Sequence, residues 1–251
     1  MNPRESVGNS VTSEGSKTDK PATVEPPSKV GRRALVGLAS LAAMLLLALF
    51  LPAGTLGYWQ AWAYWLLFVV SVSAISLYFL SHDVTLIENR LEAGPAAEGD
   101  MIQKVAQALI GVFFVLLIVV PSLDRRFHWS SVPAYLSLVG DGFVVLGLSV
   151  IFLVFKENSH TSTAVKVNPG QEVVSTGPYG LVRHPMYAGA LLMLFFTPLA
   201  LGSLLGLVFF LPMLAVIVVR LLEEEKFLRK NLPGYEEYCQ KVRHHLVPFF
   251  W

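Results

Sequence analysis

Six apolar runs, each close to the length a helix needs to cross a bilayer, constrain this chain more than any other feature. They fall approximately at Ala34–Leu51, Tyr58–Leu80, Val105–Pro121, Ala134–Phe155, Met186–Leu201 and Leu204–Leu222. About 20 apolar residues in a helix cover the hydrocarbon core of a membrane. Within hydrocarbon each backbone N–H and C=O must be satisfied by the segment itself, which leaves helices as the natural answer for runs of this length. The expected fold is therefore all-α, a polytopic transmembrane helical bundle of about six spans. Charged residues make up only 15% of the chain, against about 25% in soluble domains. The formal net charge of +1 provides no basic field for nucleic acid. Cys239 is the one cysteine, so no internal disulfide framework exists. The six histidines are scattered, and their closest pair, His244-His245, is expected to point to different helix faces; no zinc-site spacing occurs.

Residues 1–30 are rich in Ser, Thr, Pro, Glu and Lys and are expected to form a disordered tail. Arg32-Arg33 precede the first run, which is expected to be a retained span rather than a signal peptide. Residues 31–155 then form an N-terminal group of transmembrane helices, and 156–251 a C-terminal core. With the N-terminus inside, 17 of the 19 Lys and Arg lie on inner segments and only Arg125 and Arg126 on outer ones. That asymmetry predicts both termini in the cytoplasm. Trp59, Trp62, Tyr64, Trp65 and Tyr78 sit toward span ends, as interfacial anchors do. The fifth run is short and holds Pro198, which implies a kinked or tilted path; Gly202-Ser203 then forms a tight hairpin into the sixth. Asp141 is an intramembrane acid, a functional candidate unless it lies near the outer headgroups.

Two inner segments differ from the rest. The first, Lys156 to Pro185, is a long polar loop, and long ordered loops tend to carry function. Thr163–Val167 and Glu172–Ser175 are β-compatible runs around an Asn168-Pro169-Gly170 turn, and Thr176–Gly180 is a second turn cluster. The loop ends at Arg183-His184-Pro185-Met186-Tyr187. Proline suits the first position of a helix, and the residue before it is biased away from helical geometry. A helix should start at Pro185 with His184 near its cap, where its free N–H groups and Arg183 make an anion-receptive spot. Membrane-edge snorkelling by Arg183 with His184 as a simple cap is an equally good reading of those residues alone.

The second segment opens at the end of the last span. Arg220 and Glu224 are four residues apart and share a helix face. Arg220 is set back into the apolar run, where a buried partner or ligand is expected. Glu223, Glu225 and Lys226 read as an interfacial salt-bridge cluster. Pro233-Gly234-Tyr235 then leads into a short amphipathic helix expected to lie at the interface and close over the loop, with Phe249-Phe250-Trp251 as an aromatic anchor.

Gly177-Pro178-Tyr179-Gly180-Leu181-Val182-Arg183-His184-Pro185-Met186-Tyr187-Ala188-Gly189, then Arg220 with Glu224, Glu225 and Leu228, then Gly234-Tyr235 with Tyr238, together resemble the isoprenylcysteine carboxyl methyltransferase family and the related phospholipid methyltransferases. The resemblance spans roughly residues 158–249. It implies an S-adenosylmethionine pocket built from the cytoplasmic loop and the last two helices, without a Rossmann fold. It also implies that Val173, Val174, Tyr179, His184, Pro185, Met186, Tyr187 and Glu224 contact this cofactor, and that Arg220 handles the substrate. Gln171 and Ala164 depart from the family pattern, standing where eukaryotic members have a histidine and a cofactor-contacting glutamine.

The residues suit such chemistry. A methionine-type tail offers a carboxylate to Arg183 or the helix start and an ammonium to Glu224. Arg220 could orient a carboxylate acceptor whose lipid tail stays in the bilayer; an amine acceptor would need a base such as His184 or a glutamate. Methylation of a lipid-like or prenylcysteine-like carboxylate comes first, and phospholipid N-methylation second. A nicotinamide-dependent, sterol-reductase-like membrane enzyme and a non-catalytic bundle are the alternatives of other classes.

Overall fold

In the computed structural model, the described residues are 27–91, 98–159, 161, 165, 167 and 170–248. They form eight helices and no strand. These are α1 (Pro27–Ala53), α2 (Trp59–His82), α3 (Val84–Leu91), α4 (Met101–Phe127), α5 (Ala134–Glu157), α6 (Pro185–Ala200), α7 (Phe210–Asn231) and α8 (Tyr235–Lys241). Five helices are long and apolar enough to cross a membrane, namely α1, α2, α4, α5 and α7 with the 3₁₀ turn that leads into it. The sixth expected span, α6, has only 16 residues, about 24 Å of helix against a hydrocarbon core of about 30 Å. The polytopic helical bundle is thus as expected, with five full-length helices and one short one.

The expected tail boundary at residue 30 shifts. α1 already begins at Pro27, and Val30 is fully buried against Phe79, Leu86 and Phe155; residues 1–26 lie outside the described ones. α3, which no apolar run announces, packs Leu86 and Ile87 into the same cluster. The β-compatible run Glu172–Ser175 is unpaired coil, while Thr163, Ala164 and the Asn168-Pro169 turn lie outside the described residues. Tyr64 is not an interfacial anchor. It is fully buried, and its hydroxyl meets Thr197 Oγ1 at 3.2 Å. Trp59 and Trp62 do remain exposed near the start of α2.

The most intimate contact is between α5 and α6. An added Cβ at Gly147 would stand 2.6 Å from the Gly189 carbonyl oxygen, and one at Gly140 2.6 Å from the Ala200 nitrogen. Lipid tails are as apolar as leucine, so membrane helices gain little from hydrophobicity in pairing and rely on close backbone approach at small residues. Gly147→Val is expected to force α5 and α6 apart and cost on the order of 1–3 kcal/mol. Thermal unfolding in detergent reads this directly, with Gly142→Ala as the neutral control, because nothing lies within 4 Å of its added Cβ.

Gly189 abuts Val150, and Glu225 of α7 reaches His184. The start of α6 is therefore recessed about one turn below the end of α5 and more than a turn below that of α7. This recess opens a cleft at that end of the bundle. At the opposite end, Asp124 accepts hydrogen bonds from the Ser130 amide and from the Ser130 and Ser203 hydroxyls, tying two connections together. Asp141 belongs to that half of the bundle. It is 5% exposed, lies beside Gly140 where α5 meets the end of α6, and is remote from the cleft.

Candidate active site

α6 begins as its sequence dictates. His184 is the N-cap residue, outside helical geometry, and Pro185 holds the first helical position. The His184 ring does not cap the helix; its Nε2 stands 3.3 Å from Glu225 Oε1. The preceding connection is held by a 3₁₀ turn at Gly177–Gly180. Gly177 is required there on two grounds: its φ of +55° favours glycine, and a Cβ would meet the Glu157 carboxyl at 2.9 Å. Thr176 donates its hydroxyl to that same carboxylate. Tyr179 receives a hydrogen bond from Asn158 Nδ2 at 3.2 Å, and burial pushes its phenol up to about 12.

Around the recess lies a cleft with about 820 Å³ of space not filled by protein atoms, its open mouth included. Val173, Val174, Tyr179, Arg183, His184, Pro185, Met186, Tyr187 and Glu224, all nine expected cofactor contacts, line it. Gln171 lines it too, and Ala164 lies outside the described residues. The last helix closes over the loop, as its amphipathic sequence suggests. Leu232, Tyr235, Tyr238, Cys239 and Val242 pack with Val167 and Val173, and Tyr238 donates to the Tyr179 carbonyl at 2.8 Å. The aromatic anchor at residues 249–251 lies outside the described residues.

Arg220 stands one layer behind the cleft. Its Nε donates to the Tyr187 hydroxyl at 3.1 Å, and Tyr187 donates in turn to Glu224 Oε2 at 2.7 Å. Arg220 and Glu224 thus share a face, as their spacing predicts, but Tyr187 bridges them. The arginine's ion-pair partner is Glu98, at 2.6 Å, and both side chains are almost fully buried. Arg220 NH1 also donates to the Gln103 carbonyl, while Gln103 Nε2 donates to the Arg220 carbonyl, a clasp between α4 and α7.

Two expectations are corrected. Glu225 is no part of a surface cluster: it is 6% exposed and faces Arg183 Nε at 3.2 Å, His184, and His245 Nε2 at 3.3 Å. Only Glu223 and Lys226 form the solvent-exposed pair expected there. Arg183 lines the cleft and is also held by Glu225 and by the His245 ring. His244 and His245 lie beyond α8, in coil, where their carbonyls accept the Arg183 and His184 amides at 2.9 and 3.0 Å. Sequence reasoning also missed Arg90, whose guanidinium stacks over Phe155 at 4.7 Å and reaches Met186 Sδ at 3.6 Å.

Burial, together with the Arg183 and His184 charges, holds His245 below its usual 6.5 in spite of Glu225. A depressed histidine is neutral above that value in both folded and unfolded chains. As pH falls past 6.5 the unfolded chain takes up the proton first, so the segment loses stability until the folded histidine also titrates. Wild type is therefore expected to melt lower on acidification across this range by a larger margin than His245→Gln, as a paired thermal scan would show.

Fold and site together define an integral membrane bundle with a polar cleft sunk beside a helix start at one end. Residues 136–233, from α5 to the turn before α8, match the phospholipid methyltransferase family. This family belongs to the group of integral membrane methyltransferases that the motifs resemble, and it points to a membrane methyltransferase. Over 85 residues the chain is also 32% identical to the Delta(14)-sterol reductase TM7SF2 of Mus musculus, a stretch of 33% of this chain and 20% of that protein. The chain thus matches about one fifth of that relative's length.

Proposed function

We propose that the protein is an S-adenosylmethionine-dependent methyltransferase acting at the cytoplasmic membrane surface on a lipid-like acceptor carried in the bilayer. The observation that carries this reading is the convergence of Tyr179, Tyr187, Glu224 and the His184-Pro185 helix start on one cleft, within the stretch that matches the methyltransferase family. The donor supplies an electrophilic methyl group on a sulfonium. The work left to the protein is alignment, which can lower a barrier by about 7–11 kcal/mol. Glu224, half-buried and oriented by Tyr187, suits the donor's ammonium. Val173, Val174 and Met186 offer apolar walls for its nucleoside.

The match to a sterol reductase makes a nicotinamide cofactor the second reading. Charge weighs against it. Among the described lining residues the acids are Glu172 and Glu224, and the one arginine, Arg183, is held by Glu225. Among these described residues a polyanionic dinucleotide phosphate would meet little free positive charge, whereas a sulfonium with an ammonium meets acid.

Arg220 remains the proposed acceptor-handling residue. Its pairing with Glu98 leaves Tyr187, in the cleft wall, as the group through which it acts. The cytoplasmic placement rests on the distribution of Lys and Arg, because the cleft opens at the end of the bundle that carries most of them. Incubating the purified protein with methyl-labelled S-adenosylmethionine and a total lipid extract is expected to label a lipid. Release of the label by mild base indicates an ester from a carboxylate; a base-stable label indicates an amine. Transfer to no lipid in any extract, alongside NADPH oxidation by a sterol, would favour the reductase reading.

A further inference from the structure

Glu98 lies outside the stretch that matches the methyltransferase family, in the connection before α4. It is nevertheless 3% exposed and uses both carboxylate oxygens. Oε1 takes the Arg220 NH2 group at 2.6 Å, and Oε2 takes the Val165 amide at 3.0 Å. Val165 is in the cleft wall. One carboxylate from the N-terminal half therefore holds a loop residue of the cleft and the arginine behind it. Burying such a group is costly unless its oxygens are satisfied, and here both are.

From Glu98 runs a directed chain. With its outer nitrogens engaged by Glu98 and the Gln103 carbonyl, Arg220 aims Nε at the Tyr187 oxygen. Because that oxygen accepts from Arg220, the tyrosine's own proton is left to donate to Glu224 Oε2. Along the chain a carboxylate, a guanidinium, a neutral phenol and a second carboxylate follow one another. We infer that Glu98 is a positioning residue for methyl transfer, fixing through Arg220 and Tyr187 the orientation in which Glu224 meets the donor. The inference rests on the proposed donor reading and assigns no contact between Glu98 and donor or acceptor.

A double-mutant cycle on S-adenosylmethionine affinity tests it, with the full chain in lipid nanodiscs. Glu98→Gln keeps the shape and removes the charge, and it is expected to raise the Kd about tenfold. Tyr187→Phe cuts the chain downstream. In that background the further effect of Glu98→Gln is expected to shrink below about twofold, because groups acting through one another are not additive. A purely structural role would lower the melting temperature and leave the two affinity losses additive, which overturns the inference. If Glu98→Gln does not fold, Glu98→Asp keeps the charge but withdraws it by one methylene; the cycle is run with that variant and judged by the same additivity. Absence of donor binding in wild type would instead sink the donor reading itself, so the two failures are distinguishable.

Discussion

Glu224→Gln is expected to weaken S-adenosylmethionine binding by about ten- to a hundredfold while leaving the fold intact. Hydrogen bonds to a charged partner contribute about 1.5–3 kcal/mol, which sets that range. The substitution keeps the side chain's shape and a carbonyl oxygen for the Tyr187 hydroxyl, so what it removes is the negative charge that would face the donor's ammonium. Glu224 is only half-buried, and a neutral isostere there should barely move the melting temperature. Its neighbour provides the contrast. Glu225→Gln strips the counter-charge from Arg183 and disturbs the contacts to His184 and His245, so stability should suffer before affinity does. Calorimetric titration of the two variants separates the adjacent carboxylates, and equal donor affinity in wild type and Glu224→Gln would refute the assignment.

Arg220→Ala is expected to be costly in two ways. Removing one partner of a buried ion pair typically costs about 3–5 kcal/mol, because the other charge stays behind without compensation. Here that charge is Glu98, and the clasp with the Gln103 carbonyl goes with it. The same change should abolish most turnover, since Tyr187 loses the donor that orients it. Pairing Arg220→Ala with Glu98→Ala removes the orphaned charge and should recover much of the stability without recovering turnover. Arg220→Lys should fail as well, because one ammonium cannot reproduce the fork that reaches Glu98, Gln103 and Tyr187 together. Unfolding curves and single-turnover methyl transfer on the same preparations would separate the two losses.

What the sequence announced was mostly local or periodic. Apolar runs mark α1, α2, α4, α5 and α7 because hydrocarbon imposes its thickness on a helix. The Pro185 start of α6 and the turn at Gly202 follow from the backbone limits of proline and glycine. The cleft walls were legible for the same reason, since the turn cluster at Tyr179 and the His184-Pro185 start are local signals. Pairings across the bundle were not legible. Nothing near Glu98 in sequence tells it from other loop acids, and its partner is 122 positions away. Glu224 and Glu225 are adjacent and identical in type, yet helical geometry turns one toward Tyr187 and the other toward the C-terminal segment. Tyr64 reads as an anchor because tyrosine favours interfaces, whereas Thr197 on a neighbouring helix gives its hydroxyl a buried partner.

Ultraviolet cross-linking of labelled S-adenosylmethionine to the protein in lipid nanodiscs, followed by peptide mapping, locates the donor in the bundle. The label is predicted on the peptides that carry Tyr179 and Pro185–Tyr187, and it should disappear with Glu224→Gln. Label confined to other peptides, or none at all while labelled NADPH attaches to the cleft, would contradict the donor reading.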